Sequence, residues 1–146
     1  MANFFHISEA AVIGLHSSTL VAMEAGKPLS ARQVATRLDV SYDHTVRVMH
    51  RLRQAGILKS VRGPSGGFLL GADSAQIRAL EIIEILEGKV EDRHCFFLNG
   101  KCRARCALFG DLRGLINRQA REFFARLTLE ELAARMKDSG IEADWS

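Results

Sequence analysis

Apolar residues recur at helical spacing along most of this chain. Ala11, Val12, Leu15, Leu20 and Met23 fall on one helical stripe, which predicts a first helix from near Ser8 to Ala25. Gly26-Lys27-Pro28 stops it. Ser30 stands three positions before Gln33, the pattern of a capping box, and Val34, Ala35 and Leu38 give a second helix one apolar face. After a short turn at Leu38-Asp39-Val40, Ser41 is a good N-cap for a third helix from about Tyr42 to Ala55. Val46, Met49 and Leu52 form its inner face, and Gly56 sits where a C-terminal glycine belongs. Two short helices joined by a tight turn, the second of them basic, make a helix-turn-helix.

The period then changes. Ile57 to Val61 reads as a strand and Phe68 to Leu70 as its partner, with a glycine-rich hairpin tip between them. That hairpin would be the wing of a winged helix. Asp73 or Ser74 caps a further helix, in which Ile77, Leu80, Ile83 and Leu86 share a face before Gly88. A loop with a turn at Asn99-Gly100 follows. From about Arg103 to Arg126 the helical period returns, with Leu108, Leu112, Leu115 or Ile116, Phe123 and Leu127 as a long apolar stripe. A helix of that length in a small protein needs a partner surface, so a homodimer is expected. Thr128 to Glu131 is another capping box, opening a short helix with Leu132 and Met136.

The chain has 146 residues, of which 47% are hydrophobic, enough for one domain with a real core and an added dimerisation element. No apolar run approaches the roughly 18 residues of a membrane span, and the N-terminus lacks the features of a secretion signal. A cytoplasmic protein is expected. The net charge of +3 is modest, but Ser30 to Ser65 holds seven Arg and Lys against two acids, a local charge of +5. A basic stripe of this kind is the electrostatic footprint of a nucleic-acid surface.

That stripe falls on the third helix and the hairpin. Tyr42, Asp43, His44, Thr45, Arg47, His50 and Arg51 are placed away from the inner face, with Arg47 the best candidate for reading a base edge. Arg62, Gly63, Ser65 and Gly66 shape the wing tip, where glycines allow close backbone approach and an arginine can enter a minor groove. A phosphate-cradling nucleotide loop does not fit. The tip lacks a P-loop lysine, does not match G-x-G-x-x-G, and leads into a strand. No nucleophile–base pair or paired-carboxylate arrangement stands out, so an enzyme is not expected.

The three cysteines, Cys95, Cys102 and Cys106, lie within twelve residues of one another. Disulfides are rare in the cytosol, so this crowding points to metal or redox chemistry. Thiolates suit zinc or an iron–sulfur cluster. Zinc would need a fourth ligand, for which His94 is the nearest candidate. A zinc-stabilised or thiol-switch regulator without iron is the alternative reading.

The stretches Leu52-Arg53-Gln54-Ala55-Gly56-Ile57-Leu58 and Val61 to Gly71 resemble the iron–sulfur regulators of the IscR, NsrR and RirA type. The resemblance runs on through Ile83 to Glu87, the cysteines, and Leu127 to Leu132. It implies a homodimer that binds a double-stranded DNA operator through winged helices, with a crossed pair of long helices. It also implies a 2Fe–2S or 4Fe–4S cluster on Cys95, Cys102 and Cys106, whose state changes operator affinity, and Arg62 as a wing contact. The cysteine spacing here is less even than in such relatives, and Phe109 stands where some carry a histidine ligand. Others take an acid near the N-terminus, across the dimer, and Glu9 aligns with it. Glu9 is the preferred fourth ligand, with His6, His94, solvent or a small thiol as alternatives. The expectation is a mainly α protein with a small β wing. A winged helix-turn-helix DNA-binding domain spans 1–88, a cluster-binding loop 89–107, and a dimerisation helix with a C-terminal helix 108–146.

Overall fold

The computed structural model describes residues 6–89 and 111–139. Along these residues run α1 (Glu9–Met23), α2 (Ala31–Leu38), α3 (Tyr42–Gln54), β1 (Leu58–Val61), β2 (Gly67–Leu70), α4 (Ala79–Glu87), α5 (Leu112–Arg126) and α6 (Leu129–Asp138). The architecture is mainly helical with one two-stranded antiparallel sheet, as the periodicity predicts.

α1 is the centre. Ser8 caps it by accepting from the Ala11 N–H at 3.2 Å, and α2, α3, α4, α6 and β2 all pack on it. Its buried stripe is rotated from the expected one. Val12 is 39% exposed, while Ile13 is 2% exposed. A helix covered on several sides also buries polar residues. Ser17 and Thr19 are inside because their hydroxyls donate to the Ile13 and Leu15 carbonyls one turn back.

α2 opens with the expected box. The Gln33 N–H donates to Ser30 Oγ at 3.2 Å, and the Ser30 N–H to Gln33 Oε1 at 2.9 Å. Asp39, at φ +52°, turns the chain into α3. Thr45, Val48, Met49 and Leu52 are the buried face of α3, with Val46 only half-buried. In the sheet, Leu58 pairs with Leu70 and Val61 with Gly67. Leu29 adds a short third rung, exchanging both backbone hydrogen bonds with Phe68 at 3.0 and 2.9 Å.

The fourth helix starts later than its pattern suggests. Asp73 accepts the Ala75 and Gln76 N–H groups and closes a separate turn. Ile77 to Ala79 is then held extended against Leu127 to Leu129. The Ala79 N–H donates to the Leu127 carbonyl at 2.9 Å, and the Leu129 N–H to the Ile77 carbonyl at 3.0 Å. Tertiary pairing therefore overrides the helical period, and α4 buries Ala79, Ile82, Ile83 and Leu86, with Leu80 only half-buried. α6 opens with the Thr128–Glu131 box. The Thr128 backbone N–H holds the Glu131 carboxyl below the ordinary carboxylate range; desolvation opposes it, and the Thr128 hydroxyl, Arg135 and Arg78 each add a smaller lowering. The core is one cluster that includes Ile13, Leu29, Met49, Leu52, Leu58, Ile82 and Leu129.

Candidate nucleic-acid interface

The buried face of α3 fixes its outer face. Ser41 caps the helix through the His44 N–H at 3.4 Å, and Tyr42, Asp43, Arg47, His50 and Arg51 are exposed. Arg47 lies against its own helix, its Nε donating to the Asp43 carbonyl at 3.3 Å. Its guanidinium is therefore already aligned on the outer surface. The Arg32 guanidinium of α2 sits 4.6 Å from the centre of the Tyr42 ring. It adds a cation to this face that the helical pattern of α2 did not single out. The signal was there, an arginine one position after the first helical residue beside an aromatic at the next helix start.

Thr45 does not belong to this face. It is fully buried, and its hydroxyl donates to the Ser41 carbonyl at 2.9 Å. Thr45, expected among the DNA contacts, is a core residue instead. On a helix it lies three and four positions before Val48 and Met49, on the same side as both. Arg51 is exposed but turned inward along the surface, its Nη2 donating to the Ile85 carbonyl of α4 at 2.6 Å.

The hairpin is tied to α3 by His50, whose ring meets Phe68 of β2 edge-on with centroids 6.2 Å apart. Val61 to Ser65 project into solvent, with Arg62 in the turn and Gly66 half-buried. Gly63 adopts φ +113° and its carbonyl accepts the Gly66 N–H at 2.9 Å. Gly67 has no room for a side chain, since a Cβ there would stand 2.6 Å from the Leu29 carbonyl carbon. The glycines thus do two jobs: one turns the tip, and another lets Leu29 close on the sheet.

Glu9 lies at the start of α1 with its side chain 72% exposed, and its carboxylate is 3.7 Å from His44 Nδ1. The two line an open cleft of about 490 Å³ with Ala10, Ser41, Arg47, Val48 and Arg51. A candidate cluster ligand and α3 are therefore neighbours. His6 is exposed. Cys95, Cys102 and Cys106 lie outside the described residues, as do His94 and Phe109. Among the described residues no three metal-ligating side chains gather, and none of the helices is long and apolar enough to cross a membrane.

A profile of the Rrf2 family, described as iron-dependent transcriptional regulator, matches residues 7–135. The HTH-type transcriptional regulator IscR of Xenorhabdus nematophila is 34% identical over 110 residues, covering 72% of this chain. The match spans 64% of that relative's length. The solved structure of CymR, the global cysteine regulator of B. subtilis, is similar with a TM-score of 0.77 and 28% identity, over 90% of this chain and 98% of that one. T. potens IscR gives a TM-score of 0.74 over 96% of this chain and 93% of its own, and at 22% identity it speaks for the fold.

Proposed function

The chain belongs to the Rrf2 family of transcriptional regulators, and from that premise we propose a cytoplasmic homodimer whose operator affinity is set by an iron–sulfur cluster. The observation that carries this reading is the coexistence of two features. The exposed basic face of α3 stands beside a projecting wing, and three crowded cysteines follow α4 in the sequence. The names of the relatives add weight to both halves.

On this reading α3 enters a major groove. Arg47 reaches a base edge, while Tyr42, His44 and His50 face the backbone beside it. Arg62 enters the adjoining minor groove, and Gly63, Ser65 and Gly66 let the wing backbone come close to phosphates. Binding weakens steeply with salt, because each phosphate contact releases counterions. The proposed division is a DNA-binding unit over 1–88, a cluster loop over 89–107 and a dimerisation unit over 108–146. Leu112, Leu115 and Phe123 on α5 are 44%, 50% and 54% exposed, which suits an apolar surface awaiting a second copy.

The donor chemistry fits a cluster. Cys95, Cys102 and Cys106 would supply three soft thiolates, and Glu9, exposed at the start of α1, a carboxylate. When bound, such a cluster supplies a centre whose charge and integrity respond to oxidants, nitric oxide or iron supply. The chain's own residues do the rest: they hold the centre, keep α3 in register with the wing, and link the two subunits.

The test is anaerobic purification with visible absorbance, iron and sulfide assays, and native mass spectrometry. A brown dimer carrying iron and sulfide is the expected result. A colourless protein with zinc or no metal would overturn the cluster and leave a zinc-stabilised or thiol-switch regulator on the same DNA-binding fold.

A further inference from the structure

The last turn of α4 is short of internal support. A helix leaves its final carbonyls without intrahelical donors, and its C-terminus carries partial negative charge. α4 has no basic residue in its last turn, and it ends with Glu87, an acid at the unfavourable end. Gly88 satisfies only one carbonyl, that of Glu84, at 2.9 Å. Among the described residues, two further contacts reach this end from far away in sequence. Arg51 of α3 donates to the Ile85 carbonyl at 2.6 Å. The Ser8 N–H, at the cap of α1, donates to Glu87 Oε1 at 2.7 Å. One helix end is thus gripped by the recognition helix on one side and by the start of α1 on the other. The sequence leaving this end runs on to Cys95.

We propose that Arg51 is a positioning residue and not a DNA contact: its guanidinium locks the recognition helix to the last turn of α4, so that any change in how the chain leaves α4 toward the cysteines moves α3. The proposal rests on the cluster reading above and names the route by which that reading would work. Its physical basis is that a charged donor on an orphan carbonyl is a strong, directional bond. Arg51 also lines the cleft that holds Glu9, His44 and Arg47. A shift of its guanidinium therefore falls directly beside the residue proposed to read a base. Such a bond has two clear states, made or broken, which is what a coupling element requires.

The test uses the full chain, loaded with cluster and stripped of it, and a DNA duplex selected from random sequence by the wild-type protein. Arg51→Met keeps the stem and removes the donor. The wild-type forms should differ in affinity by about tenfold or more, within the usual range of allosteric coupling. Arg51→Met should bring that ratio close to one, with iron per subunit and the salt slope of binding unchanged. Arg51→Lys, which keeps a charged donor, should recover part of the ratio. If Arg51→Met weakens both forms equally and lowers the salt slope by about one, Arg51 is a phosphate contact and the proposal is wrong.

A second readout does not need the cluster. In the stripped protein, hydrogen exchange at the Glu87 and Gly88 amides should quicken about tenfold in Arg51→Met as the last turn frays. Unchanged exchange overturns the tether. Quickened exchange with no difference between the two wild-type forms keeps the tether and overturns the cluster reading instead.

Discussion

α3 and α5 are amphipathic helices of 13 and 15 residues that are finished in opposite ways. α3 buries Thr45, Val48, Met49 and Leu52 against its own subunit and leaves Arg47, Arg51, His50 and Tyr42 outside. α5 buries Gly114 alone, and leaves Leu112, Leu115 and Phe123 outside. One helix is complete in its packing and incomplete in its charge. The other is incomplete in its packing. The difference matches the two proposed partners: a polyanion for α3 and a second copy's apolar surface for α5. Regulators that bind a two-fold operator need both, since the dimer sets the spacing of the two recognition helices.

The largest break in this comparison comes from inside α3. Leu52 is fully buried, and Leu52→Ala should cost about 3 kcal/mol of stability by denaturant unfolding, within the range for large-to-small core changes. A cost near zero would mean that the core does not hold the recognition helix.

The next largest tests α5. Phe123→Asp puts a charge on the exposed apolar stripe. It should weaken self-association by about thirtyfold, roughly 2 kcal/mol, as for an aromatic anchor at an interface. Sedimentation should then show monomer at concentrations where the wild type is dimeric, with the unfolding midpoint of the monomer unchanged. Undiminished dimer would show that this stripe is not the interface.

The contrast within α3 itself is sharper and somewhat smaller. Arg47→Ala should cost about 1.5 kcal/mol on the selected duplex and relax specificity at one base position. Thr45→Val, two positions away, should leave DNA affinity and its salt slope alone and cost about 1 kcal/mol of stability through the lost bond to the Ser41 carbonyl. If Thr45→Val changed specificity and Arg47→Ala did not, the two faces of α3 would be misassigned.

The smallest effect concerns the box that starts α6. The Glu131 carboxyl is held below its ordinary value of 4.5, first by the Thr128 backbone N–H. A depressed carboxyl stabilises the folded state above its unfolded pKa, and that contribution is lost as pH falls through the folded pKa. Glu131→Gln should therefore lower the melting temperature slightly at neutral pH. The gap to the wild type should close as the pH drops below about 4.5. A gap independent of pH would assign the effect to the side-chain amide and not to the charge.

Much of this was legible because the signals are local. Ser30 with Gln33, Ser41, Gly56 and Thr128 with Glu131 announce helix ends within a few residues, and each stands where it was expected. Other features did not follow from the helical pattern. The start of α4 moved to Ala79 because Ile77 to Ala79 pair with Leu127 to Leu129, a contact that no window of sequence contains. The inner stripe of α1 turned toward Ile13 because the helix is packed on several sides, so no single polar face is left to read. Thr45 looks polar by type and is buried by position, and its hydroxyl is satisfied within its own helix. The long-range bonds of Arg51 and Ser8 to α4 carry no sequence signal at all, since each links a common residue type to a backbone carbonyl or a carboxylate far along the chain. The proposed ligand set of Cys95, Cys102 and Cys106 rests on sequence alone, while Glu9 could also be placed beside His44.

On the proposed reading the cysteine segment governs what α3 and the wing do to DNA. The deciding measurement is the titration of one selected duplex with the anaerobic, cluster-loaded protein and with the same preparation after the cluster is removed, at one salt concentration. The two forms should differ in affinity by about tenfold or more. Equal affinities would contradict that reading, and would leave a winged-helix regulator whose cysteines do not speak to its DNA-binding face.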